Sequence, residues 1–189
     1  MGQESCERPE RVTVAVRARP HLRREMLDAT TPPPHRAVRL SDANTIQLEQ
    51  RPDARPADTK VFTFDHAFDA YGNGAEPPAT QTDLYNTLGR PLLNSALEGY
   101  NVTLFAYGQT SSGKTYSVSG TRAEPGIVTR CVRALFTRGE AQRAATVCTV
   151  AVSYVEIYLA QIRDLLYPSR RKGSLRIREH PQLGPYVED

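Results

Sequence analysis

The sequence predicts an α/β fold, because short apolar strands alternate along the chain with segments of helical character. Two observations carry this prediction. The compact apolar run Val102–Ala106 has the length and composition of a buried strand. A glycine-rich turn follows it directly, and a second helix is expected to open near Lys114. A strand, a tight turn and a helix in this order are typical of the units from which α/β sheets are built.

The length of 189 residues suits one domain of ordinary size, or a piece of a larger protein. The net charge of +3 permits an acidic partner without requiring one. The three cysteines follow no metal-ligand spacing, which fits a reducing compartment. No run approaches the roughly 18 apolar residues of a membrane helix. We therefore expect a soluble intracellular protein with a flexible leader over residues 1–10.

A capping box marks the start of the first helix. Thr80 and Asp83 have the spacing at which each side chain can bond the other residue's backbone amide. The helix should run to about Leu97, and Gly89 and Pro91 should bend or weaken it.

Alternating apolar residues indicate the other strands, and Gly and Pro indicate the loops. The remaining predictions, in chain order, are a strand over Val12–Val16 that stops at Pro20, an irregular Pro-rich insert over 21–60 with a hairpin at Leu40 and Ile46–Leu48, a strand Val61–Phe64, a loop Tyr71–Pro78, a helix break at Gly120–Gly126, a helix Ile127–Phe136, a β-rich run Thr146–Tyr158, a helical turn Ile162–Leu166 and a strand Leu175–Arg178.

The glycine-rich turn matches the phosphate-binding pattern G-x-x-x-x-G-K-[ST] at every fixed position. Gly108 and Gly113 allow backbone angles that a Cβ would disfavour, so that successive N–H groups can surround phosphate oxygens. The Lys114 ammonium can reach β- and γ-phosphates, and the Thr115 hydroxyl can ligate Mg²⁺. The predicted phosphate-binding residues are Gly108, Gln109, Thr110, Ser111, Ser112, Gly113, Lys114 and Thr115, with Lys114 and Thr115 in catalytic roles and Thr115 as metal ligand.

The motif leaves the chemistry open, because a P-loop enzyme also needs a strand-end carboxylate and a group that orients water. Asp65 ends a predicted strand, but it precedes the P-loop, whereas the usual order places this carboxylate after it. An Asp at a strand-ending turn is a far more common finding. Neither Glu156 nor Asp164 follows a four-residue apolar strand.

The string Phe105–Thr115 resembles the P-loop of kinesin motor domains. Further segments resemble that family's motifs in the same order, and together the resemblance covers about residues 11–189. They are Val14–Pro20 (R-x-R-P), Phe62–Phe68 (F-x-F-D-x-x-F), Leu97–Asn101, Ser153–Tyr158 followed by Ile162–Leu166, and Leu175–Glu179.

The resemblance implies an ATP-dependent microtubule motor, with ATP and Mg²⁺ as ligands and tubulin as partner, in the cytoplasm and on the cytoskeleton. It implies no nucleic acid and no membrane partner. The fold implied is a P-loop NTPase-type central mixed sheet with flanking helices, incomplete in this chain. In the family, adenine lies between the R-x-R-P motif and the residue after the P-loop threonine, which are here Arg17, Arg19, Pro20 and Tyr116. Guanidinium, proline and phenol rings are good stacking surfaces for a base.

Two departures from the family pattern affect the functional reading. Leu159 and Ala160 stand where the family usually has Asn-Glu. The two nucleotide-sensing switch motifs have no counterpart and would lie beyond Asp189, so we expect weak nucleotide binding and negligible hydrolysis from residues 1–189 alone.

Two alternatives stay open: a non-motor adaptor that binds nucleotide or tubulin, and a small P-loop kinase, for which Arg170–Lys172 would be a weak lid segment.

Overall fold

The computed structural model describes residues 12–22, 25–26, 36–49, 59–72, 77–141, 149–167, 175–182 and 184–188. The chain divides into two compact units, Met1–Glu140 and Ala141–Asp189. The predicted leader, residues 1–10, and the segment Arg170–Lys172 lie outside the described residues.

Two small sheets form the strand part of the first unit. Strand β1 (Ala15–Ala18) pairs in parallel with β5 (His66–Asp69), with Ala15 opposite His66. Strands β2 (Val38–Leu40), β3 (Thr45–Leu48) and β4 (Lys60–Thr63) form an antiparallel sheet in that order. Strands β2 and β3 confirm the predicted hairpin. The strands predicted at Val12–Val16 and Val61–Phe64 are observed as β1 and β4, each within a few residues of its predicted bounds.

The first helix begins as the capping box predicts. Thr80 accepts a hydrogen bond from the Asp83 amide, and the Asp83 carboxylate accepts one from the Thr80 amide at 2.8 Å. The helical segment comprises α1 (Gln81–Leu84), a π-helical turn (Tyr85–Gly89) and α2 (Arg90–Leu97).

The predicted weakening at Gly89 and Pro91 takes the form of this π-helical turn. Pro91 has no N–H to donate, and the Arg90 amide bonds the Tyr85 carbonyl five residues earlier. Helix α2 ends at Glu98 and Gly99, where Gly99 adopts a φ of +97°.

In the helical part of the first unit, the π-helical turn contacts α4 (Ile127–Ala141), where the Cys131 thiol donates to the Gly89 carbonyl at 3.5 Å. Leu84, Leu93 and Ile127 are buried, with exposed fractions of 2%, 7% and 3%. A Cβ at Gly89 would lie only 2.9 Å from the Ile127 side chain, so glycine permits this close helix contact. Helix α4 starts where predicted and extends past Phe136. Helix α3 (Lys114–Val118) precedes it and also starts as predicted.

Two predictions of secondary structure were wrong throughout, and a third was wrong in part. Val102–Ala106 is not a strand: no described strand pairs with it, and Phe105 is 81% exposed. Apolar composition gives a segment β propensity, but a strand also needs a hydrogen-bonding partner. Ile162–Leu166 is not a helical turn, because Gln161–Asp164 forms strand β7.

The second unit consists of two hairpins. Strand β6 (Val155–Tyr158) pairs antiparallel with β7, and β8 (Arg176–His180) pairs antiparallel with β9 (Gly184–Glu188). Leu159 and Ala160 form the two-residue turn of the first hairpin with φ of +47° and +59°. This reversal explains why a strand follows where a helical turn was expected.

Of the predicted β-rich run Thr146–Tyr158, only Val155–Tyr158 is observed as a strand, β6. Residues 149–154 form no strand, and Thr146–Cys148 lies outside the described residues. The strand predicted at Leu175–Arg178 is confirmed as β8. No described helix is both long and apolar enough to cross a membrane.

Candidate nucleotide-binding site

The glycine-rich turn between residue 107 and α3 is a curved loop whose backbone passes through the left-handed region at three residues. Gly108, Ser111 and Gly113 have φ of +151°, +66° and +99°. The Ser112 amide donates to the Gln109 carbonyl at 3.1 Å, which closes the tip of the loop. A Cβ at Gly108 would lie 2.5 Å from the Ser112 hydroxyl, so the loop needs glycine there for space as well as for conformation.

Lys114 holds this loop together from the first residue of α3. Its ammonium donates to the Gly108 carbonyl at 2.7 Å and to the Gln109 carbonyl at 2.9 Å. Gly113 occupies the N-cap position of α3 without a side-chain capping bond. The next residue, Thr115, is exposed.

The residues of the loop fit a polyphosphate chemically. A positive charge lies on the loop at Lys114, the hydroxyl of Thr115 is accessible, and the curved backbone is of the kind that gathers amide N–H groups around an anion. Among the described residues, no group of three or more His, Cys, Asp or Glu comes together as a metal site. In P-loop NTPases the hydroxyl at the position of Thr115 binds Mg²⁺ together with a strand-end carboxylate and phosphate oxygens.

A stacked pair lies beside the loop. The Arg17 guanidinium, from β1, lies over the Tyr116 ring of α3 at 5.0 Å from the ring centroid. Partial burial lowers the pKa of Arg17, while the Tyr116 hydroxyl and Glu124 act in the opposite direction. Arginine side chains remain protonated in proteins, so Arg17 is a cation. The structure brings together two of the four residues predicted to contact adenine.

Gln81 connects the members of this pair, and sequence reasoning missed it. The Arg17 Nη1 donates to the Gln81 Oε1 at 3.0 Å, and the Gln81 Nε2 donates to the Tyr116 carbonyl at 2.6 Å. The Gln81 residue is only 3% exposed, and it is the one buried polar residue among those described. The Ser117 hydroxyl accepts a further bond from Arg17 at 3.1 Å. A glutamine in the first turn of a helix carries no sequence signal for such a role.

Glu124 anchors the other end of Tyr116. The Tyr116 hydroxyl donates to the Glu124 carboxylate at 2.5 Å, and this bond is the main reason that the pKa of Tyr116 is raised. The loop Gly120–Gly126, predicted as a helix break, positions Glu124 through hydrogen bonds between Thr121 and Glu124 in both directions, at 2.9 and 3.0 Å. Tyr116 is thus held at its carbonyl and at its hydroxyl.

Comparison with known proteins identifies the family. The protein-family model of the kinesin motor domain matches residues 17–189 of this sequence. The chain belongs to the kinesin motor domain family. This confirms the resemblance and the P-loop NTPase class of α/β fold.

Relatives agree with this assignment. The chain is 44% identical over 183 residues to Kinesin-like protein KIF1C of Homo sapiens, covering 94% of this chain and 16% of that protein. It is 38% identical over 190 residues to Kinesin-related protein 1 of Dictyostelium discoideum, covering 94% of this chain and 8% of that protein.

A solved structure of a KIF14 dimer in a two-heads-bound state, with AMP-PNP and in complex with a microtubule, superimposes with a TM-score of 0.75 at 39% identity. The match covers 94% of this chain and 48% of that one. A second KIF14 structure, with ADP and a microtubule, gives 0.74 at 38% identity. This kinesin-family chain therefore spans about half the length of the solved chains and a sixth or less of the two relatives named above.

The other two residues predicted to contact adenine have different neighbours. Arg19 donates to both Glu25 carboxylate oxygens, at 2.7 and 2.9 Å, and to the Pro20 carbonyl at 2.9 Å. The Leu22 amide also donates to Glu25 at 2.8 Å. Arg19 therefore organises the turn after β1, and its contact with a base stays a prediction, as does that of the exposed Pro20.

Asp65, considered above as a metal ligand, forms hydrogen bonds with the backbone of Val14. Its Oδ2 accepts a hydrogen bond from the Val14 amide at 2.9 Å, and its own amide donates to the Val14 carbonyl at 3.0 Å. These bonds connect the end of β4 to the entrance of β1. The common reading of an Asp at a strand-ending turn accounts for this residue.

The contacts of Glu25 predict an unusually acidic carboxyl group. The Arg19 hydrogen bonds, then the Leu22 amide, lower the pKa of Glu25 to about 2 from 4.5. Because the folded-state pKa is lowered, the stabilisation is present above pH 4.5 and is lost as the pH falls towards 2. Carboxyl ¹³C chemical shifts should show Glu25 titrating near pH 2 in the natural chain, and Arg19→Met should raise that midpoint towards 4.5.

The variant Arg39→Met is the matched control, because Arg39 pairs with Glu49 in a separate ion pair. It should leave the Glu25 midpoint unchanged. A Glu25 midpoint near 4.5 in the natural chain would contradict the assigned ion pair.

Proposed function

We propose that this chain binds ATP with Mg²⁺ through Gly108–Thr115 and supplies the nucleotide-binding part of a microtubule motor. The observation that carries the proposal is the loop itself, with its three left-handed residues and with the Lys114 ammonium on its carbonyls. Membership of the kinesin motor domain family supports the activity class, which is ATP hydrolysis coupled to microtubules. The solved relatives hold AMP-PNP or ADP and are bound to microtubules.

Lys114 has two roles in this proposal. Without a ligand, its two hydrogen bonds to the Gly108 and Gln109 carbonyls keep the loop curved. A phosphate oxygen is a stronger acceptor for an ammonium group than a carbonyl is, because the bond is charge-assisted on both sides. Lys114 can therefore turn from the loop towards the β- and γ-phosphates, while the amides of Gln109 to Lys114 hold the polyphosphate from the other side.

Thr115 is proposed as a protein ligand of Mg²⁺, since it is an exposed residue next to Lys114 and carries a hydroxyl. Mg²⁺, when bound, neutralises charge on the phosphate oxygens that it bridges. On the base side, Arg17 and Tyr116 offer a stacked guanidinium and phenol, and Arg19 with Pro20 would complete the contact. Stacking on an aromatic ring contributes on the order of 1–3 kcal/mol per base in single-strand-binding proteins.

The proposed partner is the microtubule, bound through the complete motor, and the proposed location is the cytoplasmic cytoskeleton. The support is that both solved relatives are complexes with microtubules. Neither nucleic acid nor membrane has a place in this proposal. The P-loop kinase alternative has no support in the family match, and the adaptor alternative is not favoured by it.

Removing the Lys114 ammonium tests the phosphate site. Titration with a fluorescent ATP analogue should show that Lys114→Ala weakens binding by roughly tenfold or more, because charge-assisted bonds contribute about 1.5–3 kcal/mol each. Lys60→Ala is the matched control, since Lys60 is exposed on β4, and it should bind as the natural chain does. Equal affinities for Lys114→Ala and the natural chain would remove the phosphate-site assignment.

Hydrolysis by residues 1–189 is expected to be negligible. The candidate strand-end carboxylate, Asp65, is bound to the Val14 backbone, and no acidic cluster suited to a metal is found among the described residues. Phosphate release should stay at the background rate at saturating Mg-ATP, with or without microtubules. Turnover comparable with that of a complete motor would contradict this expectation.

A further inference from the structure

The buried amide of Gln81 bonds both residues whose side chains would stack on the base. Arg17 comes from β1 and Tyr116 from α3, and the two are 99 positions apart in the sequence. Gln81 bonds both, through its oxygen to the Arg17 Nη1 and through its nitrogen to the Tyr116 carbonyl. Each polar atom of this side chain thus contacts a different member of the pair.

We propose that Gln81 is a positioning residue that sets the distance and orientation of Arg17 and Tyr116, and thereby controls recognition of the nucleobase but not of the phosphates. This inference rests on the proposed function, because it assigns the Arg17–Tyr116 pair to the base of the bound nucleotide. Gln81 itself does not contact the ligand in this proposal, since both of its polar atoms are engaged by protein groups.

Burial makes the amide well suited to this task. The residue is 3% exposed, so water does not compete for its two hydrogen bonds. The Gln81 backbone is anchored at the first position of the capped helix α1. Arg17 is held at a second point by Ser117, and Tyr116 at a second point by Glu124. Because these second contacts remain, loss of Gln81 should loosen the Arg17–Tyr116 pair but should not unfold α3.

The phosphate loop is served by different contacts. Lys114 bonds the Gly108 and Gln109 carbonyls, and the Ser112 amide bonds the Gln109 carbonyl. None of these bonds involves Gln81. Base recognition and phosphate recognition should therefore respond separately to substitution.

The test compares two ligands, ATP and inorganic tripolyphosphate, by calorimetric or competition titration of the full chain. Gln81→Met keeps the length of the side chain and removes both hydrogen bonds. We expect it to weaken ATP binding by roughly tenfold, given the usual contribution of buried hydrogen bonds, and to leave tripolyphosphate binding unchanged. Gln161→Met, at an exposed position on β7, is the matched control and should change neither affinity.

A second variant separates the two contacts of Gln81 and guards against a folding defect. Gln81→Glu keeps an acceptor for Arg17 but has no donor for the Tyr116 carbonyl, and it should also weaken ATP binding selectively. Thermal melts by circular dichroism report folding, and Gln81→Glu decides the question if Gln81→Met loses its cooperative melt. A double-mutant cycle with Arg17→Met should show coupling, because Gln81 acts through Arg17.

The outcomes are distinguishable. A selective loss of ATP affinity supports the proposal. Equal losses for ATP and tripolyphosphate would show a merely structural role, and no loss for either would show no role, so both results overturn it. If the natural chain binds neither ligand, or if Lys114→Ala changes neither affinity, the proposed function itself fails.

Discussion

The left-handed backbone at Gly113 is the constraint on which the candidate site depends. With a φ of +99° it ends the loop and starts α3 in the next residue. The direction of α3 then sets where its first three residues lie. Lys114 turns back onto the loop carbonyls, and Tyr116 reaches the Arg17 guanidinium from β1. A residue with a Cβ would be strained at this φ. Glycine at this position therefore lets the chain pass from the phosphate-binding loop into α3, which carries Tyr116 on the base side of the site.

The site combines elements that are distant in sequence through a few partly buried polar contacts. Arg17, Gln81 and Tyr116 come from a strand and two helices, and hydrogen bonds between 2.6 and 3.1 Å connect them with Ser117. The core of this first unit is small, since only four hydrophobic residues are buried among its described residues: Ile46, Leu84, Leu93 and Ile127. In such a unit, a satisfied amide that connects the Arg17 side chain with the Tyr116 carbonyl contributes specificity of position, because each unmade bond would leave a buried polar atom unpaired.

Local signals predicted the local structure well. The capping box at Thr80, the end of the helix at Leu97 and the start of α3 at Lys114 each follow from chemistry within a few residues, and all are observed. Predictions that needed distant partners did worse. The apolar run Val102–Ala106 has the composition of a strand but pairs with no described strand, and the helical turn at Ile162–Leu166 became a strand because Leu159 and Ala160 reverse the chain.

The same distinction applies to the site. The phosphate loop is contiguous, so its residues could be predicted from spacing alone, and the structure gives them a curved loop with Lys114 across it. Gln81 and Ser117 could not be predicted, because their roles arise only when β1, α1 and α3 come together. Glu124 could not be predicted either, because its bond to Tyr116 depends on the fold of the loop Gly120–Gly126. Arg19 shows the converse: its motif was apparent, but its bidentate bond with Glu25 depends on how the chain turns after β1.

The central claim is that the backbone of Gly108–Thr115 surrounds a polyphosphate. Amide ¹H–¹⁵N spectra of the ¹⁵N-labelled chain, recorded during titration with tripolyphosphate, test it most directly. We expect saturable shifts centred on the amides from Gln109 to Lys114, with the largest at Gly113 and Lys114. Saturable shifts confined to other parts of the chain, or no shifts at millimolar ligand, would contradict it.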